Sequence, residues 1–316
     1  MFILDKVPTR KKDFFAWADY LEFRCVTNID NQISTADLSN FVETAEDFNE
    51  DSDILGENSL VAERDDELEA YISRYMGFLR SRKMLFGENY PFELMENGIF
   101  LKENLTPPQI GYIILLFSSC LKNININHRE ILTTSFENVT AAYFQNLLSS
   151  HGCAHVISSK NKNIGTTALQ RIEWVASQLG SSVICDKTAF AGNTAGEKGL
   201  DVIAWLDVGD TLNNKPIFLI QATCGDSISF ELKTAQVSPA KWRKIIKFDN
   251  RPIEVLSIPH SYRKQNNLFE DELMYGNALL IDRSRILNRV ANFNDILNDA
   301  YDRIHNMIFG DAQTTC

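Results

Sequence analysis

The stretch that decides the fold runs from residue 196 to residue 225 and reads GEKGLDVIAWLDVGDTLNNKPIFLIQATCG. Its two apolar runs, 200–206 and 216–224, have the two-residue period of β-strands. The polar segment between them contains Gly-Asp and Asn-Asn pairs, which favour tight turns. We therefore expect two neighbouring strands that run antiparallel.

Polar side chains interrupt the apolar faces of both expected strands. Asp201 shares a face with Ile203 and Trp205, and Gln221 shares one with Leu219. A carboxylate or an amide is costly to bury without a hydrogen-bonding partner. The two positions therefore predict a functional site, although hydrogen bonds within a turn or to neighbouring backbone would also explain them.

A third acidic residue lies in the helix predicted for residues 135–149. Glu137 is next to the apolar stripe of this helix, so it either points at the strands or closes a capping box with Thr134. Glu173, in a helix predicted for residues 166–179, is the second candidate for the same position.

Together these residues resemble the restriction-endonuclease-like, or PD-(D/E)xK, superfamily of metal-dependent nucleases. The pattern of that superfamily is a Glu in an early helix, a Gly-x-Asp that opens one strand, and a Glu-or-Gln-x-Lys on the next. The segments GLDVIAW and QATCG are similar to those of a divergent branch associated with bacterial anti-phage defence.

The resemblance implies hydrolysis of phosphodiester bonds, with DNA as the expected substrate and Mg²⁺ or Mn²⁺ as the cofactor. It implies that Asp201, Gln221 and Glu137 are metal ligands and catalytic residues. It also implies that other defence-system proteins are partners.

One position departs from the superfamily pattern, because Thr223 stands where a Lys is expected. A hydroxyl group cannot supply the positive charge that stabilises the transition state. Lys198 is the expected catalytic substitute, and Lys233 is the other candidate. The alternative function is a catalytically silent subunit that binds nucleic acid or scaffolds a multi-component defence complex.

The net charge of −11 argues against a nucleic-acid footprint over the whole molecule. A local interface is offered by the segment 233–251, in which Asp249 is the single acid. The residues predicted to contact nucleic acid are Lys233, Lys241, Arg243, Lys244 and Lys247. The alternative is a solvated helix face, and Trp242 within the segment is either a stacking surface or a core anchor.

Other classes of protein are less consistent with the sequence. The six cysteines form no CxxC pair, which favours reduced thiols and a cytoplasmic location. The most apolar run, 110–121, is shorter than the roughly 20 residues that span a bilayer, so we expect no membrane partner. Phosphate-cradling GxxxxGK, dinucleotide-binding GxGxxG, HExxH and GxSxG motifs are absent. Homo-oligomer formation is left open.

The length of 316 residues and the apolar share of 44% are sufficient for two domains. The polar segment NININHRE, 123–130, separates two apolar periodicities. We therefore expect an α/β protein in which an all-α N-terminal domain, residues 1–127, precedes a restriction-endonuclease-like α/β domain, residues 128–316, with a central mixed sheet.

Overall fold

The computed structural model describes residues 2–4, 6–10, 13–44, 57–158, 161–190, 199–271 and 273–310, except for the side chains at 57–65, 187 and 189. The elements of the first half are α1 (Phe14–Thr27), β1 (Gln32–Ser34), α2 (Thr35–Glu43), α3 (Glu57–Phe86), β2 (Phe92–Met95), β3 (Gly98–Leu101), α4 (Pro107–Ser119) and α5 (Ile126–Leu148). Those of the second half are β4 (Gly152–Val156), α6 (Ala168–Gln178), β5 (Val202–Leu206), β6 (Ile217–Ala222), α7 (Phe230–Gln236), α8 (Pro239–Trp242), β7 (Ile253–Ser257), β8 (Leu279–Ile281), α9 (Arg283–Leu287), α10 (Phe293–Leu297) and α11 (Asp299–Phe309).

A five-stranded sheet with the order β4-β5-β6-β7-β8 forms the centre of the second half. Strands β4, β5 and β6 are antiparallel neighbours, whereas β7 and β8 run parallel to β6. The expected mixed sheet is therefore confirmed. The expected antiparallel pair is β5 and β6, in which Val202 lies opposite Ile220 and Trp205 lies opposite Ile217.

The two faces of β5 contribute to two different hydrophobic clusters. Val202 and Ala204 pack in the main cluster, together with residues of α5. Ile203 and Trp205 pack in a second cluster, which includes Ile172 of α6. The sheet is covered on both faces, because the two-residue period of the strand supplies apolar side chains to each.

The N-terminal part is not all-α, contrary to the sequence-based expectation. It contains a three-stranded antiparallel sheet with the order β1-β3-β2. A β-carbon on Gly98 would lie 2.1 Å from the backbone oxygen of Ile33, and the φ angle of Gly98 is +153°. Glycine at this position therefore allows β3 to pair with β1.

The two halves share apolar contacts. Helix α5 starts at Ile126, nine positions before its predicted start, and crosses the expected boundary after residue 127. The main cluster joins residues of the first half, such as Trp17 and Leu116, to residues of the second, such as Val255 and Ile304. The division into domains at residue 127 stays a prediction.

A cluster of buried charged side chains connects α1, α3 and α9. Arg82 Nη1 lies 2.6 Å from Asp19 Oδ1 and 2.9 Å from Glu22 Oε2. Arg283 Nη2 lies 3.1 Å from Asp19 Oδ1. Burial raises the pKa of Asp19, but the guanidinium groups of Arg283 and Arg82 outweigh it and lower this pKa to about 2. Asp19 is therefore ionised at neutral pH.

Hydroxyl groups from neighbouring elements complete the hydrogen bonding of this cluster. The hydroxyls of Tyr90 and Tyr112 each donate to a different oxygen of Glu22 at 2.8 Å. Ser119 of α4 donates to Asp19 Oδ2 at 2.8 Å. Buried charges are tolerated when their remaining lone pairs are satisfied in this way.

The sequence also predicts a basic helix over residues 238–248 and a closing helix over about residues 293–309, and the structure interrupts both. Helix α8 ends at Trp242, so the expected basic helix does not continue to Phe248. The expected closing helix is divided into α10 and α11 at Asn298, whose φ angle is +46°. No helix in the described ranges has the length and apolar character needed to cross a membrane.

Candidate active site

Asp201 directly precedes β5 and is held by backbone hydrogen bonds on both sides. Its N–H donates to Ile220 O at 3.1 Å, and its carbonyl accepts from Ile157 N at 2.8 Å. Gly199, two residues earlier, has a φ angle of +84°. A β-carbon there would lie 2.2 Å from the side-chain oxygen of Gln236. The Gly-x-Asp pattern therefore directs the chain into the strand at a position where glycine avoids both backbone strain and a clash with the Gln236 side chain.

The side chains of Asp201 and Gln221 meet at the adjoining ends of β5 and β6. Asp201 Oδ2 accepts a hydrogen bond from Gln221 Nε2 and another from Ala222 N at 2.9 Å. Gln221 is 4% exposed, and its Oε1 atom has no hydrogen-bond partner in the described part of the chain. The structure thus brings together the carboxylate and the amide that sequence analysis selected.

Glu137 approaches the same strand ends from helix α5. Burial raises the pKa of the Cys224 thiol, and the negative charges of Glu137 and Asp201 raise it further. Both carboxylates therefore act electrostatically on Cys224, two residues beyond β6. The capping-box interpretation of Glu137 is wrong, because α5 begins at Ile126 and is capped by the side chain of Asn125.

Glu173, the second candidate for this role, belongs to α6. This helix packs in the cluster of Ile203 and Trp205, on the face of the sheet opposite to α5. Glu137 and Glu173 therefore lie on opposite sides of the sheet.

Thr223, at the position expected for Lys, is 6% exposed, and its Oγ1 accepts from Gly225 N at 3.1 Å. Lys198 lies outside the described residues. Lys233 of α7 lines the same cavity as Thr223 and Cys224. Of the two candidate lysines, Lys233 is thus the one that the structure places in the cavity at this end of the sheet.

The cavity next to these strand ends has a volume of about 780 Å³. Its lining residues come from four parts of the chain, namely 8–10 with 13–20, 119–133, 222–233 and 260–262. Sequence analysis did not select the other charged and polar residues of its wall, including Arg129, because the cavity is assembled from segments that are distant in the chain.

The basic segment after α7 is only partly available to a ligand. Arg243, Lys244 and Lys247 are exposed, while Lys241 is half-buried and donates from Nζ to Gln236 O at 3.1 Å. Trp242 is fully buried and donates from Nε1 to the same carbonyl at 2.9 Å. Trp242 is therefore a core anchor and not a stacking surface.

The side chains at the strand ends fit a hard divalent cation. Mg²⁺ prefers oxygen ligands, and Gln221 contributes a buried carbonyl oxygen that has no hydrogen-bond partner among the described residues, next to the carboxylate of Asp201. If the Gln221 amide rotated by half a turn, its oxygen would point at Asp201. The amide oxygen and the carboxylate could then bind the same cation. No group of three or more His, Cys, Asp or Glu side chains suited to a metal occurs among the described residues. The expected set is two carboxylates and one amide.

Comparisons with protein-family models, with curated proteins and with solved structures found no match. The function is therefore argued from the residues at the strand ends and from the cavity beside them.

Proposed function

We propose that the protein is a metal-dependent nuclease that hydrolyses phosphodiester bonds in DNA and acts with other proteins in bacterial anti-phage defence. The observation that carries the proposal is the hydrogen bond between Gln221 and Asp201 at the adjoining ends of β5 and β6. A carboxylate, an amide oxygen and a second carboxylate supply the hard ligands that phosphodiester hydrolysis needs.

In this proposal the cation is held by Asp201 and Gln221, and Glu137 either completes the ligand set or orients the attacking water. The bound cation would polarise the phosphate and lower the pKa of water. Because Gln221 is neutral, the ligand set carries less negative charge than a set of three carboxylates, so substrate phosphate becomes a natural additional ligand.

Positive charge at the phosphate would come from Lys233, which shares the cavity with Thr223. Lys198 remains a candidate for the same role. The exposed cations Arg243, Lys244 and Lys247 would contact the nucleic-acid backbone outside the cavity.

The test compares the wild-type protein with Asp201→Asn on single-stranded DNA, double-stranded DNA and RNA, in Mg²⁺, in Mn²⁺ and in EDTA. Removing the anionic ligand should reduce metal-dependent cleavage by on the order of 100-fold or more, because several kcal/mol of transition-state stabilisation are lost. Asp207→Asn is the matched control, since Asp207 follows the opposite end of the same strand. Undiminished cleavage by Asp201→Asn would contradict the proposed site.

A catalytically silent nuclease-like subunit is the second candidate function. The observation that favours it is Thr223, whose hydroxyl is engaged with Gly225 N and carries no charge. Binding of DNA with the same affinity in wild type and Asp201→Asn, without cleavage in either metal, would support this function instead.

A further inference from the structure

The lining of the cavity contains four basic residues. The cations in its lining are Arg10, Lys122, Arg129 and Lys233. Arg129 donates from Nε to Ile124 O at 2.9 Å, and its two terminal nitrogens form no hydrogen bond with a described residue. Within the described part of the chain, no carboxylate forms an ion pair with any of the four. Such a group of unpaired cations favours an anionic ligand.

The lining contains fewer acidic than basic residues. Asp19 is compensated by Arg82 and Arg283. Asp13 and Asp226 are the other two acids, and Asp13 accepts a hydrogen bond from Ala16 N at the start of α1. Two acids thus face four cations.

The inner wall of the cavity carries two buried polar atoms that need a partner. His260 is 8% exposed and Ser261 is 1% exposed. Neither His260 Nδ1 nor Ser261 Oγ forms a hydrogen bond with the described residues. Because buried polar atoms are nearly always hydrogen-bonded, this pair indicates a ligand with polar edge atoms.

Aromatic side chains line the same wall. The rings of His260 and Tyr262 are stacked, with centroids 5.4 Å apart and an interplanar angle of 26°. The ring centroid of Phe15 in α1 lies 5.4 Å from that of Tyr262. Flat aromatic surfaces of this kind suit a planar heterocycle.

We infer that the cavity binds a single nucleotide, with its phosphate at Arg129 and Lys233 and its base at His260 and Ser261. The volume of about 780 Å³ is in the range of small-molecule sites. The cavity includes Ala222, whose N–H donates to Asp201. The nucleotide is therefore either an unpaired unit of the substrate strand next to the scissile phosphate, which rests on the proposed function, or a free nucleotide.

The first experiment measures binding to the full chain in EDTA, by calorimetry, of the four deoxynucleoside 5′-monophosphates, the corresponding nucleosides and inorganic phosphate. At least one monophosphate should bind about tenfold or more tightly than its nucleoside and than inorganic phosphate, because the base and the phosphate each contribute hydrogen bonds. Failure of every monophosphate to bind would overturn the inference.

Variants then locate the ligand. Arg129→Gln and Lys233→Gln should each weaken binding of the monophosphate and leave binding of the nucleoside unchanged. Lys83→Gln, at an exposed position of α3 outside the cavity lining, should alter neither. Ser261→Ala should weaken binding without lowering the melting temperature of the free protein, since the hydroxyl it removes has no partner there. Unchanged affinity in all three cavity variants would overturn the inference.

The source of the nucleotide is decided by competition with a short single-stranded oligonucleotide. Competition with the bound monophosphate supports a unit of the substrate strand, and absence of competition supports a free nucleotide. Asp201→Asn should keep the monophosphate affinity. Binding without cleavage by the wild type would therefore count against the proposed nuclease activity alone, and cleavage without binding would count against the cavity site alone.

Discussion

The hydroxyl groups of Thr140 and Ser257 lie 2.9 Å apart in the interior, where helix α5 packs against strand β7. The carbonyl of Ser257 also accepts from Thr223 N at 3.0 Å. Glu137 lies three residues before Thr140, almost one turn away on the same helix. The hydroxyl pair therefore fixes the position of Glu137 relative to the end of β6.

Removing one of these two hydroxyls should cost more than removing both. Thr140→Val leaves the Ser257 hydroxyl buried without its partner, so we expect a loss of about 1–3 kcal/mol in the free energy of unfolding. Adding Ser257→Ala to this variant removes the unsatisfied group and should restore part of the loss. Urea unfolding of the two single variants and the double variant measures the coupling, and additive losses would show that there is none.

Gly199 and Gly209 form a matched pair for testing the turn before Asp201. Their φ angles are +84° and +87°, but only a β-carbon at Gly199 would meet a neighbouring group. Gly209→Ala should cost about 1–2 kcal/mol through backbone strain alone. Gly199→Ala should cost more, because the Gln236 side chain must move, and should also weaken Mg²⁺ binding. Equal costs in thermal unfolding would contradict the close packing of Gly199.

Gln221→Glu should make the stability of the protein depend on the metal. Without a cation the new carboxylate lies against Asp201, and repulsion between the two charges should lower the melting temperature. With Mg²⁺ the added ligand should increase the stabilisation beyond that of the wild type, because a ligand bound only by the native state raises its stability. Melts in EDTA and in Mg²⁺ provide the measurement.

The control for this experiment is Gln178→Glu, at an exposed position of α6. This control variant should have nearly the same melting temperature as the wild type, both in EDTA and in Mg²⁺. A Gln221→Glu variant that behaves like this control would show that the amide is not part of a metal site.

The stability of the protein should fall as the pH is lowered from about 6.5 to about 4. Burial lowers the pKa of His260 from 6.5 to about 4, while the charges of Asp19 and Arg283 act on it in opposite directions. Between the two values the unfolded chain binds a proton that the folded protein does not, so acidification favours unfolding. The expected loss over this window is about 3 kcal/mol.

Urea unfolding across this pH range tests the prediction. His260→Gln should reduce the pH dependence, and His151→Gln, at an exposed position, should not. An identical pH dependence in wild type and His260→Gln would assign the effect to other groups. Asp19, whose pKa is lowered to about 2, loses its stabilising contribution only below about pH 4.

Arg283→Met should destabilise the protein by about 3–5 kcal/mol, since it leaves buried carboxylates short of one of their cations. Arg289→Met, six residues later at an exposed position, is the control and should be nearly neutral. Chemical denaturation measures both. A small effect of Arg283→Met would mean that Arg82 alone compensates Asp19.

Local sequence patterns predicted the parts of the fold that depend on residues close together along the chain. The pairing of β5 with β6 and the division of Val202 and Ile203 between two clusters follow from a two-residue period. The three-stranded sheet was missed, although Asn97-Gly98 between two apolar runs indicates a hairpin. Its third strand, Gln32–Ser34, is too short to show a period.

Other features depend on contacts between distant segments and could not be predicted in the same way. The polar run NININHRE looked like a boundary, but Asn125 within it caps a helix of 23 residues. Contact between Asp201 and Gln221 could be expected, because both lie on adjacent strands. The cavity wall at Arg129 and His260 could not, because no pattern along the chain relates these positions.

The buried charged cluster also bears on the order in which the protein can fold during synthesis. Asp19 and Glu22 are synthesised early, in helix α1, and Arg82 follows in α3. Arg283 is synthesised only 264 positions after Asp19. On the ribosome, the first helices can therefore assemble only around a cluster that still lacks a cation. The N-terminal half should consequently reach its final stability late, when the segment that contains Arg283 has been translated.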